Sequence, residues 1–270
     1  MKKVYAKKKL GQHFLVNKQV AREIADDWAR ESSAIIEVGP GKGVLTDLLI
    51  EWNIPTHAIE KDERMRDILL DILEENQITF GDALKIDLEK LVDDLSWNDE
   101  KIWLVSNLPY NISVPLMMKF TRVENIKYMT LMFQKEVGEK IVPNSNKKNI
   151  MNSLMAICCN YFDCKQLCKV HPGSFAPPPE VESVVISFKR WDHPTIPLRE
   201  FDSYEQFLRR LFAFKRKQIG TILKRTYEKS RLLDALNECG ISTTDRAESL
   251  DLLTIQTLYQ KLKRNVKMNS

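Results

Sequence analysis

The sequence predicts an α/β fold in which a mostly parallel, doubly wound sheet with one antiparallel strand pair precedes a small all-α C-terminal domain. Three observations support this prediction. Short apolar runs alternate with helical segments through the first half of the chain, which is typical of a parallel sheet covered by helices. Around residues 166–188 two strand-like runs follow each other with no helix between them. Beyond Phe201 only helical periodicity is present.

The predicted elements of the first half follow in regular order. Asn17 can cap a helix over residues 18–30. The Ile102–Val105 run reads as a buried parallel strand that ends at Ser106. The full series after the first helix is a strand at Ala34–Val38, a helix at 44–52, a strand at Thr56–Glu60, a helix at about 63–75, a short strand at Ile78–Phe80, the strand before Asn107, a helix from Ser113, a strand at Tyr128–Phe133 and a further helix.

The pattern changes in the second half. Strands are predicted at Gln166–Val170 and Val184–Phe188, joined by the stiff, extended Pro177–Pro179 run. Pro194 and Pro197 mark a linker. The helices predicted after it lie at about 203–213, 216–227, 230–239 and 254–264. We therefore expect a larger domain at residues 1–194 and a helical domain at residues 195–270.

Composition limits the functional class. The 270 residues, 43% hydrophobic and 29% charged, can bury a sizeable core in one large or two unequal domains. No segment approaches eighteen consecutive apolar residues, so we expect no membrane partner. The charged start has no apolar stretch after it and does not resemble a signal peptide. We expect a cytoplasmic monomer.

Five cysteines make an odd count, which favours reduced, mostly buried thiols. Cys164, Cys168 and His171 could suggest a metal site. Their spacing lacks a C-x-x-C knuckle and their segment resembles a strand, so we expect core packing and no metal.

Charge is distributed unevenly. Residues 199–270 hold fifteen Lys/Arg and nine Asp/Glu, net +6, whereas the remainder holds 26 and 28, net −2. This asymmetry indicates a polyanionic partner for the C-terminal part. The basic residues that could contact phosphates of such a partner are Arg209, Arg210, Lys215, Arg216, Lys217, Lys224 and Arg225. A solvated helix face is the alternative interpretation.

A glycine-rich turn and two carboxylates follow the first three predicted strands. Gly39 and Gly41, within Glu37–Gly43, let the backbone approach a ligand at a helix N-terminus. Glu60 can accept both hydroxyls of a ribose, and Asp82 could accept from an adenine amine. The spacing G-x-G-x-G, unlike the dinucleotide pattern G-x-G-x-x-G, favours a nucleoside without a pyrophosphate, such as S-adenosylmethionine. A turn without a ligand, and a capping role for Asp82, are the alternatives.

Asn107-Leu108-Pro109-Tyr110 follows a predicted strand at the edge where open α/β sheets bind ligands. The side-chain oxygen of Asn107 can accept one proton of a base amine, and the main-chain carbonyl of Pro109 can accept the other. Two acceptors on one amine aim its lone pair at an electrophile, and Tyr110 offers a face for stacking. The motif predicts methylation of an amine on a planar base. An ordinary strand exit is the alternative.

Two further segments each have two interpretations. Lys9–Leu15 could lie across the cofactor site as a lid, or it could be a basic, loosely ordered arm, which the pattern alone favours. Phe175 could form the second face of an aromatic sandwich around a flipped base, or it could be a core aromatic at a strand end.

Together these segments resemble the ribosomal RNA adenine dimethyltransferases, most closely the small-subunit enzymes, from about Lys8 to about Tyr259. The matching segments are Lys9–Leu15 (G-Q-[NH]-F-L), Glu37–Gly41 (E-[IV]-G-P-G), Asn107–Ser113 (N-L-P-Y-N-I-S), Gln134–Val137, Phe175–Ser183 (F-x-P-P-P-x-V-x-S), Phe214–Lys217 and Gly240–Leu250 (G-I, then R-A-E-x-L). The proline-rich and R-A-E segments make the resemblance specific, because other amine methyltransferases share only the glycine turn and N-L-P-Y.

The resemblance implies a Rossmann-like class I methyltransferase sheet with a helical RNA-binding domain, and S-adenosyl-L-methionine as cofactor. The cofactor-binding residues are then Gln12, His13, Leu15, Gly39, Gly41, Glu60, Asp82 and Asn107. The target adenine is handled by Asn107, Pro109 and Tyr110, with Phe175 packing on it. The implied substrate is a pair of neighbouring adenines in a hairpin near the 3′ end of small-subunit rRNA, each dimethylated, with the small subunit or its precursor particle as partner.

Two departures from the family pattern leave details open. Many relatives have Asn at the position of His13, which affects a cofactor contact. Many have Tyr-Gly where this chain has Asn149-Ile150, which affects how the loop at 143–149 approaches substrate.

Other functions stay open as alternatives: a methyltransferase for large-subunit rRNA of the antibiotic-resistance type or for DNA, a ribosome-assembly factor acting mainly by binding, and a nicotinamide dehydrogenase. The R-A-E segment argues against the first, and the glycine spacing argues against the last. An assembly role can coexist with catalysis.

Overall fold

The computed structural model describes residues 5–7, 11–142 and 150–263. Of these, residues 5–7, 11–142 and 164–190 belong to one compact unit, and residues 150–163 and 191–263 belong to a second. The second break lies close to the predicted boundary at residue 194. The sequence pattern did not indicate that residues 150–163 belong with the C-terminal helices, and the functional roles of the two domains stay predictions.

The first unit is built on a mixed sheet. The described strands are β1 (Phe14–Leu15), β2 (Ala34–Val38), β3 (Thr56–Glu60), β4 (Ile78–Phe80), β5 (Ile102–Asn107), β6 (Ile126–Gln134), β7 (Phe162–Val170), β8 (Phe175–Ala176) and β9 (Ser183–Arg190). The order of strands in the sheet is β4-β3-β2-β5-β6-β9-β7, while β1 and β8 pair separately and antiparallel. The pairings from β4 through β6 are parallel, whereas β9 runs antiparallel to β6. This confirms the predicted mostly parallel sheet with an antiparallel pair.

The central strands end at one edge of the sheet. Glu37 of β2 lies in register with Ala58 of β3 and Val105 of β5. β2 is buried along its whole length, as expected for a strand covered on both faces. Because parallel strands share a direction, the turn after β2, Glu60 at the end of β3 and Asn107 at the end of β5 come together at the carboxyl edge.

Short helices cover this sheet. They are α1 (Lys18–Ala25), α2 (Thr46–Leu49), α3 (Arg66–Leu70), α4 (Leu88–Asp94), α5 (Ser113–Arg122) and α6 (Lys135–Ile141). α2 and α3 are shorter than predicted, because 3-10 turns at Ile50–Trp52 and Glu63–Met65 take up part of the predicted helical segments.

α1 begins as predicted but ends early. The Asn17 side chain accepts from the main-chain amides of Gln19 and Val20 at 3.0 and 3.2 Å, which confirms the cap. The helix stops at Ala25 and not at residue 30, because the next side chains turn toward the sheet. Trp28 donates to Ser187 Oγ at 2.9 Å, and the Asp27 carboxyl accepts from a threonine hydroxyl at 2.7 Å.

The second unit is helical within its described residues. Its helices are α7 (Ser153–Tyr161), α8 (Phe201–Leu211), α9 (Ile219–Leu223), α10 (Lys229–Glu238) and α11 (Leu252–Lys263). The last four correspond to the four predicted helices, although α9 is about half as long as expected. α7 was not predicted.

Asn160 explains why α7 belongs to the second unit. Its side chain is buried and donates to the main-chain oxygen of Ile196 at 3.0 Å while accepting from the Ile196 amide at 3.0 Å. Gln256 of α11 donates to the same amide oxygen at 2.9 Å. The buried side chain of Asn160 near the end of α7 thus finds its hydrogen-bond partners in the linker and in α11.

The five cysteines are free thiols. Burial raises the pKa of Cys159 and of Cys168 to about 12, so both stay protonated at neutral pH. Among the described residues, no group of three or more His, Cys, Asp or Glu side chains could hold a metal ion. Within the same part of the chain, no helix combines the length and the apolar character that a membrane span requires.

Candidate active site

The predicted cofactor residues meet in one cavity of the first unit. The predicted residues that line it are Gln12, His13, Leu15, Gly39, Gly41, Glu60, Asp82, Asn107, Pro109 and Tyr110. Phe175 does not line it. The basic residues of the C-terminal part lie in the other unit. We call residues 5–7 and 11–15 the N-terminal arm. Lys9 and Leu10 of the predicted lid motif lie outside the described residues.

The turn after β2 is shaped by glycine. Gly39 and Gly41 have φ angles of +74° and +56°, which side chains other than glycine rarely adopt. A Cβ at Gly41 would lie 3.1 Å from the Phe14 ring of the arm. A Cβ at Gly39 would meet no atom within 4 Å. The turn therefore presents bare backbone to open space at the cavity wall, as a nucleoside site requires.

Glu60 is held from two sides. Its carboxylate accepts from the main-chain amides of Gly41 at 2.9 Å and of Asp62 at 2.7 Å, one on each oxygen. Burial raises the pKa of the Glu60 carboxyl, and these two amides lower it. Each oxygen keeps a lone pair for a further donor. The arrangement fits the predicted acceptor of two ribose hydroxyls.

Asp82 has a partner that the sequence did not suggest. Lys61 Nζ lies 2.7 Å from Asp82 Oδ2, and the Leu84 amide donates to Oδ1 at 3.0 Å. The hydrogen bond from Lys61 holds the pKa of the Asp82 carboxyl below its usual range. Asp82 is therefore ionised at neutral pH and can act as an acceptor toward an amine.

The arm lies along the cavity, as the lid interpretation requires. Phe14 and Leu15 form β1, and Leu15 pairs with Phe175 of β8. His13 Nδ1 lies 2.8 Å from the main-chain oxygen of Pro177. Because a carbonyl can only accept, Nδ1 carries the proton. Gln12 donates from Nε2 to the Asp62 carboxylate at 3.0 Å. The arm is thus ordered by contacts far away in sequence.

The Asn107 amide has a defined orientation. Its Nδ2 donates to the main-chain oxygen of His13 at 2.9 Å. Since that oxygen only accepts, the nitrogen must face His13 and Oδ1 must face away from it. An amide held in this way can offer Oδ1 to an incoming amine.

The main-chain carbonyl of Pro109, which the sequence predicts as an acceptor, already accepts one hydrogen bond within the protein. It accepts from the Ile112 amide at 3.1 Å, which leaves one lone pair. Among the described residues no donor reaches the carbonyl of Leu108, one residue closer to Asn107. Leu108 lines the same cavity, and its carbonyl is a second candidate acceptor that the sequence analysis missed.

Two contacts fix the position of the Tyr110 ring. Its hydroxyl lies 2.7 Å from Ser183 Oγ, and its ring stacks on His13 with centroids 5.6 Å apart and planes at 22°. Burial raises the pKa of the Tyr110 phenol. The ring therefore stays neutral and presents a rigid face, which lowers the entropy lost when another ring stacks on it.

Phe175 does not have the position that an aromatic sandwich requires. The side chain is 3% exposed and packs in a core cluster that includes Leu15, Val170 and Val185. The neighbouring Ala176 is exposed, as alternation along a strand demands. In this structure Phe175 is a core residue that does not line the cavity, and its contact with a target base stays a prediction that this placement argues against.

Glu37 is a further buried carboxyl at the cavity wall. It is 1% exposed and accepts from Thr46 Oγ1 at 2.7 Å. Burial raises its pKa to about 8. The group is therefore mainly protonated at neutral pH, and its partner on α2 fixes the end of β2 against the helix.

Several residues of the site were missed by the sequence analysis. Lys61 and Asp62 follow Glu60 directly, and a charged pair just past a strand end was the available signal. Of the two departures from the family pattern, His13 lies at the centre of the arm contacts. Ile150 is 64% exposed, and Asn149 lies outside the described residues.

The basic residues of the second unit form an exposed surface. They lie on α8, on the turn Phe214–Lys217 and around α9; they are Arg209, Arg210, Lys215, Arg216, Lys217, Lys224 and Arg225, all exposed. Arg209 pairs with Glu205 at 2.6 Å. No carboxylate of the described residues lies within ion-pair distance of Lys215, Arg216 or Lys217. Positive charge on this turn is thus not balanced by the described carboxylates.

Comparisons with known proteins concern nearly the whole chain. A family profile described as "Ribosomal RNA adenine dimethylase" matches residues 4–264. "Ribosomal RNA small subunit methyltransferase A" from Geobacter metallireducens is 34% identical over 260 residues, with 92% of each chain covered. The protein of the same name from Mycoplasma pneumoniae is 33% identical over 267 residues, with 97% of each chain covered.

Solved structures give the same fold. A dimethyladenosine transferase from Plasmodium falciparum has a TM-score of 0.74 at 25% identity and covers 91% of this chain and 96% of its own. The 23S rRNA methyltransferase ErmE has a TM-score of 0.67 at 21% identity and covers 93% of this chain and 100% of its own. At this identity the second likeness concerns the fold alone.

Proposed function

We propose, from the premise that this chain belongs to the ribosomal RNA adenine dimethylase family, that it dimethylates two adjacent adenines near the 3′ end of small-subunit rRNA with S-adenosyl-L-methionine. Relatives at 33–34% identity carry small-subunit names, which supports this choice over a large-subunit substrate. The observation that carries the proposal is the Asn107 amide, whose Oδ1 is turned away from His13 in the cavity that Glu60 and the glycine turn also line.

The cavity residues fit the cofactor. Glu60, held by the Gly41 amide, would hold the ribose hydroxyls and Asp82 the adenine amine, while bare backbone at Gly39 allows close approach. When bound, S-adenosylmethionine supplies a methyl group made electrophilic by the sulfonium. His13 and Leu15 of the arm limit the access of water to this side of the cavity.

The residues after β5 orient the target amine. Asn107 Oδ1 accepts one amine hydrogen, and a carbonyl of Leu108 or Pro109 accepts the other. With both hydrogens held, the nitrogen lone pair points out of the base plane toward the electrophile. Orientation of this kind supplies much of the rate enhancement in a direct displacement.

The second transfer to the same nitrogen places a further demand on the cavity. One amine hydrogen has then been replaced by a methyl group, so room is needed beside Asn107. No general base is required, because the amine loses its proton after it has gained the methyl. Glu37 does not serve as one, since its pKa of about 8 keeps it protonated and Thr46 occupies it.

Tyr110 offers the stacking face for an adenine that has left its helix. Extruding a base costs a few kcal/mol, and one aromatic stack contributes about 1–3 kcal/mol. The Tyr110 ring is already fixed by Ser183 and His13, so little further ordering is needed. With Phe175 in the core, the remaining free energy comes from the hydrogen bonds to the target amine and from contacts with the RNA backbone.

The exposed basic surface of the second unit supplies such contacts in this proposal. Lys215, Arg216 and Lys217 on the turn are the strongest candidates for phosphate binding, because no described carboxylate neutralises them. The partner is then the small-subunit rRNA within a precursor particle. We further propose that the protein acts as a monomer in the cytoplasm.

Mass spectrometry of rRNA adenines tests the proposal. Small subunits lacking the modification are incubated with the protein and isotope-labelled cofactor, and large subunits serve as control. We expect labelled dimethyladenine at two neighbouring positions of the small-subunit rRNA. Label in the large subunit, or none, would overturn the substrate assignment. A turnover-deficient variant that still supports subunit assembly would separate the enzymatic role from a binding role.

A further inference from the structure

Asp62, two residues past the end of β3, connects Glu60 of the cavity to the N-terminal arm. Its side chain is 3% exposed although it carries a charge. Oδ2 accepts from Gln12 Nε2 at 3.0 Å, and Oδ1 accepts from Arg64 Nε at 2.9 Å. Lys7 Nζ lies 3.7 Å from Oδ1. A carboxylate buried to this extent is stable because every partner is a donor or a cation.

The same cluster holds three positions of the arm. The Lys7 amide donates to Gln12 Oε1 at 2.8 Å, so the Gln12 amide bridges the start of the arm to Asp62. Arg64 Nη1 donates to the main-chain oxygen of Tyr5 at 3.2 Å. The hydrogen bond from Arg64 is the main reason that the pKa of Asp62 lies well below its usual range. Asp62 therefore stays ionised at any working pH.

The other end of the arm is held independently. β1 pairs with β8, and His13 contacts Pro177. Residues 11–15 between these attachments line the cavity. The main-chain amide of Asp62 also donates to Glu60 at 2.7 Å. One residue thus joins the predicted ribose acceptor to the segment that covers it.

We infer that Asp62 is a positioning residue that fastens the N-terminal arm over the cofactor cavity and thereby slows cofactor release. The effect on release rests on the proposed cofactor, whereas the fastening of the arm by Asp62 does not depend on which ligand binds. A structural role is the alternative, since Asp62 Oδ1 also accepts from the Arg64 amide at 3.3 Å and caps the turn Glu63–Met65. Asn caps equally well and lacks the charge, so Asp62→Asn separates the two roles.

The first measurement is hydrogen exchange of the full-length protein without ligand. In Asp62→Asn we expect amides of residues 11–15 to exchange about tenfold faster, which corresponds to about 1.4 kcal/mol. The matched control is Asp87→Asn, because Asp87 likewise caps an element, with Oδ1 accepting from the Lys90 amide at 3.1 Å, and has no contact with the arm. Exchange that is equal in all three proteins would overturn the inference.

A paired substitution guards against an effect of misfolding. Gln12→Glu places a second carboxylate beside Asp62 and should release the arm by repulsion. In the double variant Gln12→Glu/Asp62→Asn, the side-chain amide introduced at position 62 can donate to the new carboxylate, so protection of residues 11–15 should return toward that of the wild type. A double variant no better protected than Gln12→Glu alone would show that Asp62 does not hold the arm.

The second measurement is the dissociation rate of S-adenosylmethionine by stopped flow. We expect about tenfold faster release from Asp62→Asn and an unchanged rate from Asp87→Asn. An unchanged rate in Asp62→Asn would overturn the effect on release. If the wild type binds no S-adenosylmethionine, the proposed function fails, whereas the exchange experiment still decides whether Asp62 fastens the arm.

Discussion

The cavity of the first unit and the basic surface of the second unit hold their polar groups in different ways. In the cavity, Asn107, Glu60 and Asp82 each have a fixed protein partner at 2.7–2.9 Å. On the turn Phe214–Lys217, the charges are exposed and have no described carboxylate nearby. Fixed partners preorganise a site for chemistry, while free charges suit a long polyanion that binds through many weak contacts.

The largest expected effect concerns the oriented amide. Asn107→Ala should lower turnover by about 1,000-fold, because the amine loses an acceptor that aims its lone pair, and it should weaken cofactor binding far less, by about tenfold or less, since Asn107 also contacts the arm at His13. Methyl transfer to unmethylated small subunits and calorimetry with S-adenosylmethionine measure the two quantities. Asn125→Ala, outside the cavity, is the control. Normal turnover in Asn107→Ala would remove the preorganised amide from the mechanism.

Charge reversal on the turn comes second. Arg216→Glu/Lys217→Glu should weaken RNA affinity by about 100-fold at low salt and reduce the salt slope by about 1.4 to 1.8, since two phosphate contacts are lost. Filter binding across a salt series measures both values. The control, Lys85→Glu/Lys90→Glu, makes the same charge change on exposed lysines of the first unit. An unchanged slope in the test variant would reduce the basic surface to a feature of solubility.

The third prediction concerns pH. The folded-state pKa of Glu37, about 8, lies above the ordinary value of 4.5, so the folded chain keeps a proton that the unfolded chain releases between these values. The contribution of Glu37 to the free energy of unfolding is therefore fully present below its unfolded-state pKa of 4.5 and is lost as pH rises through its folded-state pKa of about 8. Between about pH 6 and about pH 8, the free energy of unfolding of Glu37→Gln should fall by about 2 kcal/mol less than that of the wild type.

Urea unfolding at both pH values checks this. Glu89→Gln, on an exposed face of α4, serves as the control and should follow the wild type. Identical pH dependence in Glu37→Gln and the wild type would show that the buried carboxyl does not titrate in this range.

The smallest effect is expected at Phe175. Phe175→Leu keeps an apolar side chain in the core and should lower stability by about 1 kcal/mol, with turnover within about threefold of the wild type. Denaturant unfolding and methyl transfer measure the two effects. Full stability combined with a loss of turnover of about 100-fold or more would indicate that the Phe175 ring contacts the substrate.

Particular elements show how far local patterns reach. β2, β3 and β5 were predicted nearly to the residue, because each is a short segment containing apolar or β-branched residues that alternates along the chain with helical segments. α7 was missed because six of its nine residues are buried, which leaves no amphipathic period to recognise. α1 was predicted too long, since its end depends on contacts of Asp27 and Trp28 with distant strands.

The site divides in the same manner. Glu60 and Asn107 could be placed at one edge from strand ends alone, because parallel strands share a direction. Phe175 could not be assigned to core or cavity, since the pairing of β8 with β1 decides which face of the strand it occupies. The sequence likewise could not decide whether the arm is an ordered lid or a loose segment, because its contacts are made with residues fifty or more positions away.

The sequence by itself determined the alternation of strands and helices, the edge at which the predicted site residues gather and the concentration of positive charge near the C-terminus, because these depend on local pattern and composition. The tertiary structure decided the orientation of the Asn107 amide, the placement of Phe175 in the core and the fastening of the arm at Asp62. Each of these depends on hydrogen bonds and packing between residues far apart in the chain, and no local pattern records which distant partner a side chain will find.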